Sequence, residues 1–416
     1  MTDPTSALPE RVLRKAAREG RIRGIAVDTW SRAVAQPRRA GHALRTGVSQ
    51  ARALHSRERR LVQQALYDLV RRQRAIERVL GSDAPLALWL GWLVQHGLPP
   101  QAAKEQLDLP YEALLDDTLA TSVEGLDPAE RLAILHSLPL GLSRRLVDQR
   151  GEAHAARLLA ASDERAPITI RANQARTTRD ALAARLADEG LPTSPCERAP
   201  HGLHVLERGA LTALPSFREG WFEVQDEGSQ LLAALVPAGG EVIDLCAGAG
   251  GKSLALAAAG HRVTAADVRP GALAELQRRA RRAGARIETI RIRDGRLPPK
   301  LRKREVGRVL VDAPCSGTGV LRRHPEHRWQ FDDGLLKERT ALQRRILDRA
   351  AGLVAPGGSL VYGTCSLLAE ENEHVVSSFL SGHPDFEATD DVLHTAPHPD
   401  GTDGFFGAVL RRRSAP

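Results

Sequence analysis

From Gln225 onward, short apolar runs alternate with helical segments, and this rhythm restricts the second half of the chain to few folds. The runs Glu241–Leu245, Arg262–Asp267, Ile287–Arg293, Arg308–Asp312 and Ser359–Thr364 read as strands. Helices are predicted between several of them, over Ser253–Ala259, Gly271–Ala283 and Leu335–Val354. Apolar strands separated by helices predict an α/β, doubly wound, Rossmann-like parallel sheet. Such sheets bind ligands outside the carboxyl ends of their strands. The chemically unusual residues of this chain gather at those ends.

The 416 residues exceed one ordinary core, so further domains precede this one. From Arg11 to about Leu140 the pattern is helical. Its clearest stretch is Ser56 to Leu80, with Ser56 as the expected N-cap and Val62, Leu66, Leu69, Gln73, Ile76 and Leu80 at helical spacing. The apolar run Leu86 to Val94 is too short to span a bilayer and reads as a buried helix. Strands expected at Pro167–Asn173, His204–Glu207 and Trp221–Val224, with a helix over Thr178–Glu189, make a small α/β module. The expected division is residues 1–140 helical, 141–224 small α/β, and 225–416 doubly wound.

Charge narrows the partner. The net charge is +8, yet Glu10 to Leu80 alone carries 18 basic and 6 acidic side chains, and Arg281 to Leu310 carries 11 and 3. Two basic blocks on an otherwise acidic chain point to a polyanion, with nucleic acid ahead of membrane. The opening residues, Met1 to Thr5, lack a basic then apolar leader, so no secretory signal is expected. Cys196, Cys246, Cys315 and Cys365 form no Cys-x-x-Cys pair and lack zinc-site spacing. Free thiols in a reducing cytoplasm, with no metal, are the expectation.

The first strand–helix turn reads Asp244-Leu245-Cys246-Ala247-Gly248-Ala249-Gly250-Gly251-Lys252-Ser253. Its glycines let backbone approach a ligand, and the helix start offers N–H groups to an anion. A dinucleotide fingerprint fails at Ser253, where a third glycine belongs. A P-loop keeps Gly251-Lys252-Ser253 and a strand ending in Asp312, but Cys246 stands at its leading glycine. S-adenosylmethionine is the third candidate, with Asp267 ending the second strand for the ribose and Asp294 ending the third strand near adenine. The turn alone does not choose among them.

Two cysteines at strand ends do. The fourth strand ends in Asp312-Ala313-Pro314-Cys315-Ser316-Gly317-Thr318-Gly319 and the fifth in Tyr362-Gly363-Thr364-Cys365-Ser366. A lone cysteine is usually a small buried hydrophobe, the reading preferred for Cys246; Cys196 is expected to stand outside the chemistry. Two Cys-Ser turns at equivalent strand ends ask for more. Carbon 5 of cytosine is too weak a nucleophile to take a sulfonium methyl group unless a thiolate first adds to C6. A carboxyl at N3, for which Asp312 is positioned, assists, and a second thiol has work to do when the first is expelled. Three rivals remain on this reading: an RNA-stimulated NTPase, a non-catalytic RNA-binding assembly factor, and a DNA cytosine methyltransferase with its nucleophile in Pro314-Cys315.

Several stretches carry a resemblance. They are Val224-Gln225-Asp226-Glu227-Gly228-Ser229-Gln230, the loop Asp244 to Lys252, Asp312 to Gly319, Arg323-His324-Pro325, Thr364-Cys365-Ser366 with Glu370, Glu371 and Asn372, and Asp403-Gly404-Phe405-Phe406. In order and spacing they resemble the RNA cytosine-C5 methyltransferases of the Sun (Fmu) type, bacterial 16S ribosomal RNA enzymes with an N-terminal NusB-like helical domain. Before residue 140 the likeness rests mainly on Ser56 to Leu61. The resemblance implies Cys365 as nucleophile and Cys315 as the thiol that assists release. It implies that Cys246, Ala247, Gly248, Ala249, Gly250, Gly251, Lys252, Asp267, Asp294 and Asp312 surround S-adenosylmethionine, with Asp312 also near the base. Ala249 departs from the family, which commonly has proline there. RNA is the implied partner, with no obligate protein partner; Arg323, His324 and Trp329 are expected along its path, Trp329 equally as a packing residue.

Overall fold

In the computed structural model the described residues are 8–49, 51–207, 209–293, 295–398 and 401–414. Asp294 and the opening residues Met1 to Thr5 lie outside them. The chain divides into two compact units, residues 1–164 with 321–333, and residues 165–320 with 334–416.

The first unit is helical and centres on the 25-residue helix Ser56–Leu80. Leu61, Val62, Leu66, Leu69, Val70, Ile76 and Leu80 line its buried stripe, as the 3.6-residue period requires. The cap falls one residue earlier than expected: His55 is the N-cap, its N–H donating to Glu58 Oε2 at 2.9 Å, and Ser56 opens the helix. Glu at the third helical position answers an orphan backbone donor as well as a capping serine would. Gly81 ends the helix at φ 64°. The apolar run is the helix Pro85–Gln95, buried from Ala87 to Val94, with Trp89 and Trp92 at the centre of the core. Helices continue past residue 140, through Leu140–Arg150 and Glu152–Asp163.

Residues 321–333 fold into this helical unit. Arg328 is fully buried, donates to the carbonyls of His136 (3.1 Å) and Ser162 (3.3 Å), and pairs with Asp163. Trp329, for which the sequence leaves the RNA path and packing equally open, packs edge-on against Trp30 with ring centroids 5.0 Å apart. It is half-buried and packs against the helical core.

The second unit holds two sheets. In the smaller one, β1 (Ile168–Ala172), β2 (Thr193–Pro195), β3 (Gly202–Val205) and β4 (Phe222–Val224) are antiparallel in the order β2-β3-β1-β4. The helix Arg179–Asp188, capped by the Thr178 hydroxyl on Ala181 N–H, buries Leu182 and Leu186 with Ile170, Leu203 and Phe222. The larger sheet contains β5 (Glu241–Asp244), β6 (Arg262–Asp267), β7 (Ile287–Arg291), β8 (Val306–Asp312), β9 (Val354–Thr364), β10 (Phe386–His394) and β11 (Phe406–Arg412). Its order is β10-β11-β9-β8-β5-β6-β7, with β5 through β9 parallel and β11 antiparallel to both β9 and β10.

Alternate residues of the central strands face opposite layers. Ile243, Val309, Val311, Leu360 and Tyr362 pack with Leu347, Ala350, Val375 and Phe379, while Val242, Leu310 and Val361 pack with Val236 and Leu256. Both faces are therefore covered, which is why these strands read as continuous apolar runs. From β5 the chain winds outward through β6 to β7, then returns to β8 on the other side of β5. The crevice where strand order reverses thus opens beyond Asp244 and Asp312. No helix among the described residues is long and apolar enough to cross a membrane.

Candidate active site

The loop after β5 is shaped by two glycines in the left-handed region, Gly248 at φ 54° and Gly250 at φ 84°. Gly250 caps the helix Gly251–Ala258, and a Cβ there would lie 2.4 Å from Leu276 Cγ. Loop backbone is tied inward by Ala247 N–H to the Ala266 carbonyl (3.1 Å) and Gly250 N–H to the Ala247 carbonyl (2.8 Å). Ala249 is exposed, and its carbonyl accepts from Arg279 at 2.7 Å.

Three carboxylates surround this loop in different states. Asp244 is completely buried and accepts from the Ser253 hydroxyl at 2.6 Å, while its Oδ1 has no hydrogen-bond partner. Burial pushes its carboxyl up to about 7, against the pull of the Ser253 hydrogen bond. Asp267 accepts from Gly248 N–H (2.7 Å), Arg269 N–H (2.8 Å) and the Arg269 guanidinium (3.1 Å). Burial works against its charge, but Arg269 and the two N–H groups outweigh it and hold the carboxyl below its usual range. Asp312 accepts from Lys252 Nζ at 2.7 Å. In that pair the lysine side chain is 8% exposed and the aspartate 32%, so the carboxylate is the partner that meets the crevice. Burial opposes the Lys252 charge, yet Asp312, with Cys365 and Asp244 behind it, carries the ammonium above its ordinary value. A P-loop lysine reaches for phosphates; this one is buried, bonded to Asp312, and lies 5.2 Å from the Phe405 ring.

The parallel register of β8 and β9 pairs Asp312 with Gly363, and Ala313 N–H donates to the Gly363 carbonyl at 2.8 Å. The two cysteines follow directly, and their sulfurs lie 3.3 Å apart. Both are half-buried. The hydrogen bond with Cys365, then burial, hold the Cys315 thiol well above the usual range. Gly319 N–H donates to the Cys365 carbonyl at 2.9 Å, and a side chain at Gly319 would strike the Gly404 carbonyl, so the segments 315–319, 365–366 and 403–405 are closely interlocked.

The other two cysteines differ. Burial drives the Cys246 thiol far up, as suits a small packed residue under the loop. Cys196 comes within 4.8 Å of His204 and Glu227, a grouping that linear spacing does not reveal. Burial pushes that thiol up to about 12, and Glu227 Oε1 is already taken by the N–H groups of Arg198 and Ala199, both at 2.8 Å.

Comparison with known proteins bears on the whole chain. Residues 232–411 match the family model for 16S rRNA methyltransferase RsmB/F, and residues 138–212 match its ferredoxin-like domain. Ribosomal RNA small subunit methyltransferase B of Sodalis glossinidius is 33% identical, across 91% of this chain and 96% of that protein. The chain belongs to the RsmB/F methyltransferase family. The namesake from Salmonella arizonae is 36% identical over 62% of each chain. Among solved structures, that of PH0851 matches with a TM-score of 0.73 at 26% identity, covering 94% of this chain and 98% of its own. A methyltransferase homologue from Pyrococcus horikoshii follows at 0.60 and 27%, covering 69% and 98%.

Within this RsmB/F-family fold, Cys246 to Lys252, Asp267, Asp312, Cys315 and Cys365 all lie at the carboxyl edge of the parallel strands, one crevice's worth of sequence-predicted residues. Asp294 lies outside the described residues. Sequence reasoning named Ser253, Ser316, Glu371 and Asn372 only as members of motifs, and passed over Gln343, whose partners Pro314 and Glu371 are distant in the chain.

Proposed function

We propose that this chain methylates carbon 5 of a cytosine in RNA, with 16S ribosomal RNA as substrate, through a covalent bond between Cys365 and C6. The observation that carries the reading is the pair of sulfurs 3.3 Å apart at the ends of adjacent parallel strands, beside the Lys252–Asp312 pair. Neither a hydride transfer nor a phosphate hydrolysis has use for two such thiols.

The β5 loop suits S-adenosylmethionine. Gly248 and Gly250 give the turn its left-handed backbone, the helix Gly251–Ala258 begins there, and the Asp244 Oδ1 is a buried acceptor without a donor. Cys246 to Lys252 and Asp312 would hold the cofactor, and Asp267 its ribose hydroxyls once the exposed Arg269 side chain gives way. Asp294 is the further contact proposed near adenine. When bound, the cofactor supplies an electrophilic methyl group, which C5 takes once the ring is activated.

Activation is the work of the chain's own side chains. The Cys365 thiolate donates a pair to C6, the C5=C6 π bond opens, and its electrons make C5 nucleophilic. Lys252 fixes Asp312, whose partly exposed carboxylate accepts a hydrogen bond from N3 when N3 takes a proton from solvent as charge builds on the ring, a proton returned to solvent on elimination. After methylation the C5 proton passes to solvent, the C5=C6 bond reforms, and the C6–S pair returns to Cys365. The Cys315 S–H, 3.3 Å away, donates to the departing sulfur.

The target base must leave its stack to present both ring carbons. Arg281, Arg286, Arg291, Arg293, Arg296 and Arg302 are exposed, and we assign them to RNA phosphate, along with the basic face of the N-terminal helices. Four free cysteines suit a reducing cytoplasm. The test is to incubate the full chain with methyl-labelled cofactor and 16S RNA and to sequence after bisulfite treatment. A protected cytosine that disappears with Cys365→Ala supports the reading; label on any other base overturns it.

A further inference from the structure

Immediately behind the two thiols lies a buried dipeptide, Glu371-Asn372, at the end of the turn Ala369–Glu371. Glu371 is 0% exposed. Its Oε1 accepts from Ser316 N–H at 2.8 Å and from Gln343 Nε2 at 3.0 Å, and its Oε2 accepts from the Ser316 hydroxyl. Gln343 also donates to the Pro314 carbonyl at 3.0 Å. Both neighbours of Cys315 in the chain are therefore held through one carboxylate. Asn372 does the same for Cys365: its Oδ1 accepts from the Thr364 hydroxyl at 2.6 Å, and its Nδ2 donates to the Ser366 carbonyl at 3.0 Å.

The two sides of this clamp differ in charge. Every hydrogen-bond partner of Glu371 is neutral, so its charge is not cancelled locally. A buried carboxylate is costly to keep, and in a poorly polarisable interior its field reaches neighbouring groups strongly. It disfavours an anion at Cys315, adding to the effects of Cys365 and of burial, and also at the Tyr362 hydroxyl. Cys365 instead lies on the side of the Lys252 ammonium, whose charge it favours. At 3.3 Å the two sulfurs can hold one hydrogen between them, with either as its donor.

Resting on the covalent reading above, we propose that Glu371 and Asn372 are positioning residues that act as one clamp. Asn372 fixes the Cys365 turn, and the Glu371 carboxylate fixes the Cys315 turn and keeps the shared proton on Cys315, leaving the anion on Cys365. The order of the two thiols then follows from the charge on either side of them. The proton that Cys315 retains is the one it presents to the sulfur of Cys365 as the C6–S bond breaks.

The test is differential thiol labelling of the full chain without substrate, by brief iodoacetamide pulses and mass mapping of each cysteine. A thiolate reacts and a thiol does not, so the wild-type chain is expected to label Cys365 roughly tenfold faster than Cys315. Glu371→Gln is expected to shrink that ratio at least about threefold, Glu371→Asp to restore most of it, and Asn372→Ala, which keeps the charge, to leave it unchanged. An unchanged ratio in Glu371→Gln overturns the proposal. So does faster labelling of Cys315 in the wild type, a result that stands even if the variant does not fold. RNA methylation is measured in parallel. A wild-type chain that makes 5-methylcytosine while the ratios stay flat overturns the clamp alone, and one that makes none overturns the reaction reading.

Discussion

Substituting Gly250 by alanine puts a number on the conformation of the β5 loop. At φ 84° an L-residue in the left-handed region costs about 1–2 kcal/mol. The new Cβ would also lie 2.4 Å from Cγ and 2.9 Å from Cδ1 of Leu276, a side chain with 0% exposure and little room to yield. Overpacking of that kind costs about 1–3 kcal/mol, so the total is about 2–5 kcal/mol. For a unit of this size each kcal/mol lowers Tm by about 2–4 °C, giving a drop of about 4–20 °C. Gly251 is the internal control: its φ is ordinary and a Cβ there would meet no heavy atom within 4 Å, so alanine there should be neutral or stabilise by up to about 1 kcal/mol. Calorimetry on both variants without ligand decides the matter. If Gly250→Ala melts with the wild type, or if the two variants behave alike, the account of the loop is wrong.

Asp244 carries a pH signature. Its folded carboxyl sits at about 7, above the ordinary 3.8, so the folded state holds an extra proton between about pH 4 and pH 7 and loses stability as pH rises through that window. Asp244→Asn removes the slope: its Tm advantage over wild type should grow from about pH 4 to pH 7 and then level, and an advantage that shrinks instead refutes the assignment. Trp329→Ala should lower the stability of the helical unit by about 1–3 kcal/mol through loss of the contact with Trp30, seen as a lower thermal midpoint; weaker RNA binding at unchanged stability would place Trp329 in the RNA path instead. Replacing Arg291, Arg293 and Arg296 together by alanine should reduce the slope of log affinity against log salt for single-stranded RNA by about 2. An unchanged slope would show that those side chains do not meet phosphate.

The parts of the fold visible in the sequence were those whose cause is local. Val309-Leu310-Val311 is apolar throughout because both faces of β8 are covered, and Gly248 and Gly250 announce a turn that needs positive φ. The hairpin of β10 and β11 was not read as strands, because Phe386–His394 is a mostly polar edge strand without period-two burial. The cap at His55 was displaced by one residue because Glu58, rather than a serine hydroxyl, supplies the hydrogen bond. In the site, the strand-end motifs located both cysteines, yet the contacts that organise them span 60 positions from Lys252 to Asp312 and 55 from Ser316 to Glu371. Such pairings are set by which strands become neighbours, and no local pattern encodes them. Trp329 shows the converse: an aromatic beside basic residues fits nucleic acid and packing equally until its packing partner is known.

The division of labour between the two sulfurs is the centre of the account, and trapping of the covalent intermediate measures it directly. With cofactor and 16S RNA, the wild type should show little protein–RNA adduct on denaturing gels, Cys365→Ala none, and Cys315→Ala a stable one joined through Cys365. Adduct formation that survives Cys365→Ala but is lost in Cys315→Ala would reverse the assignment.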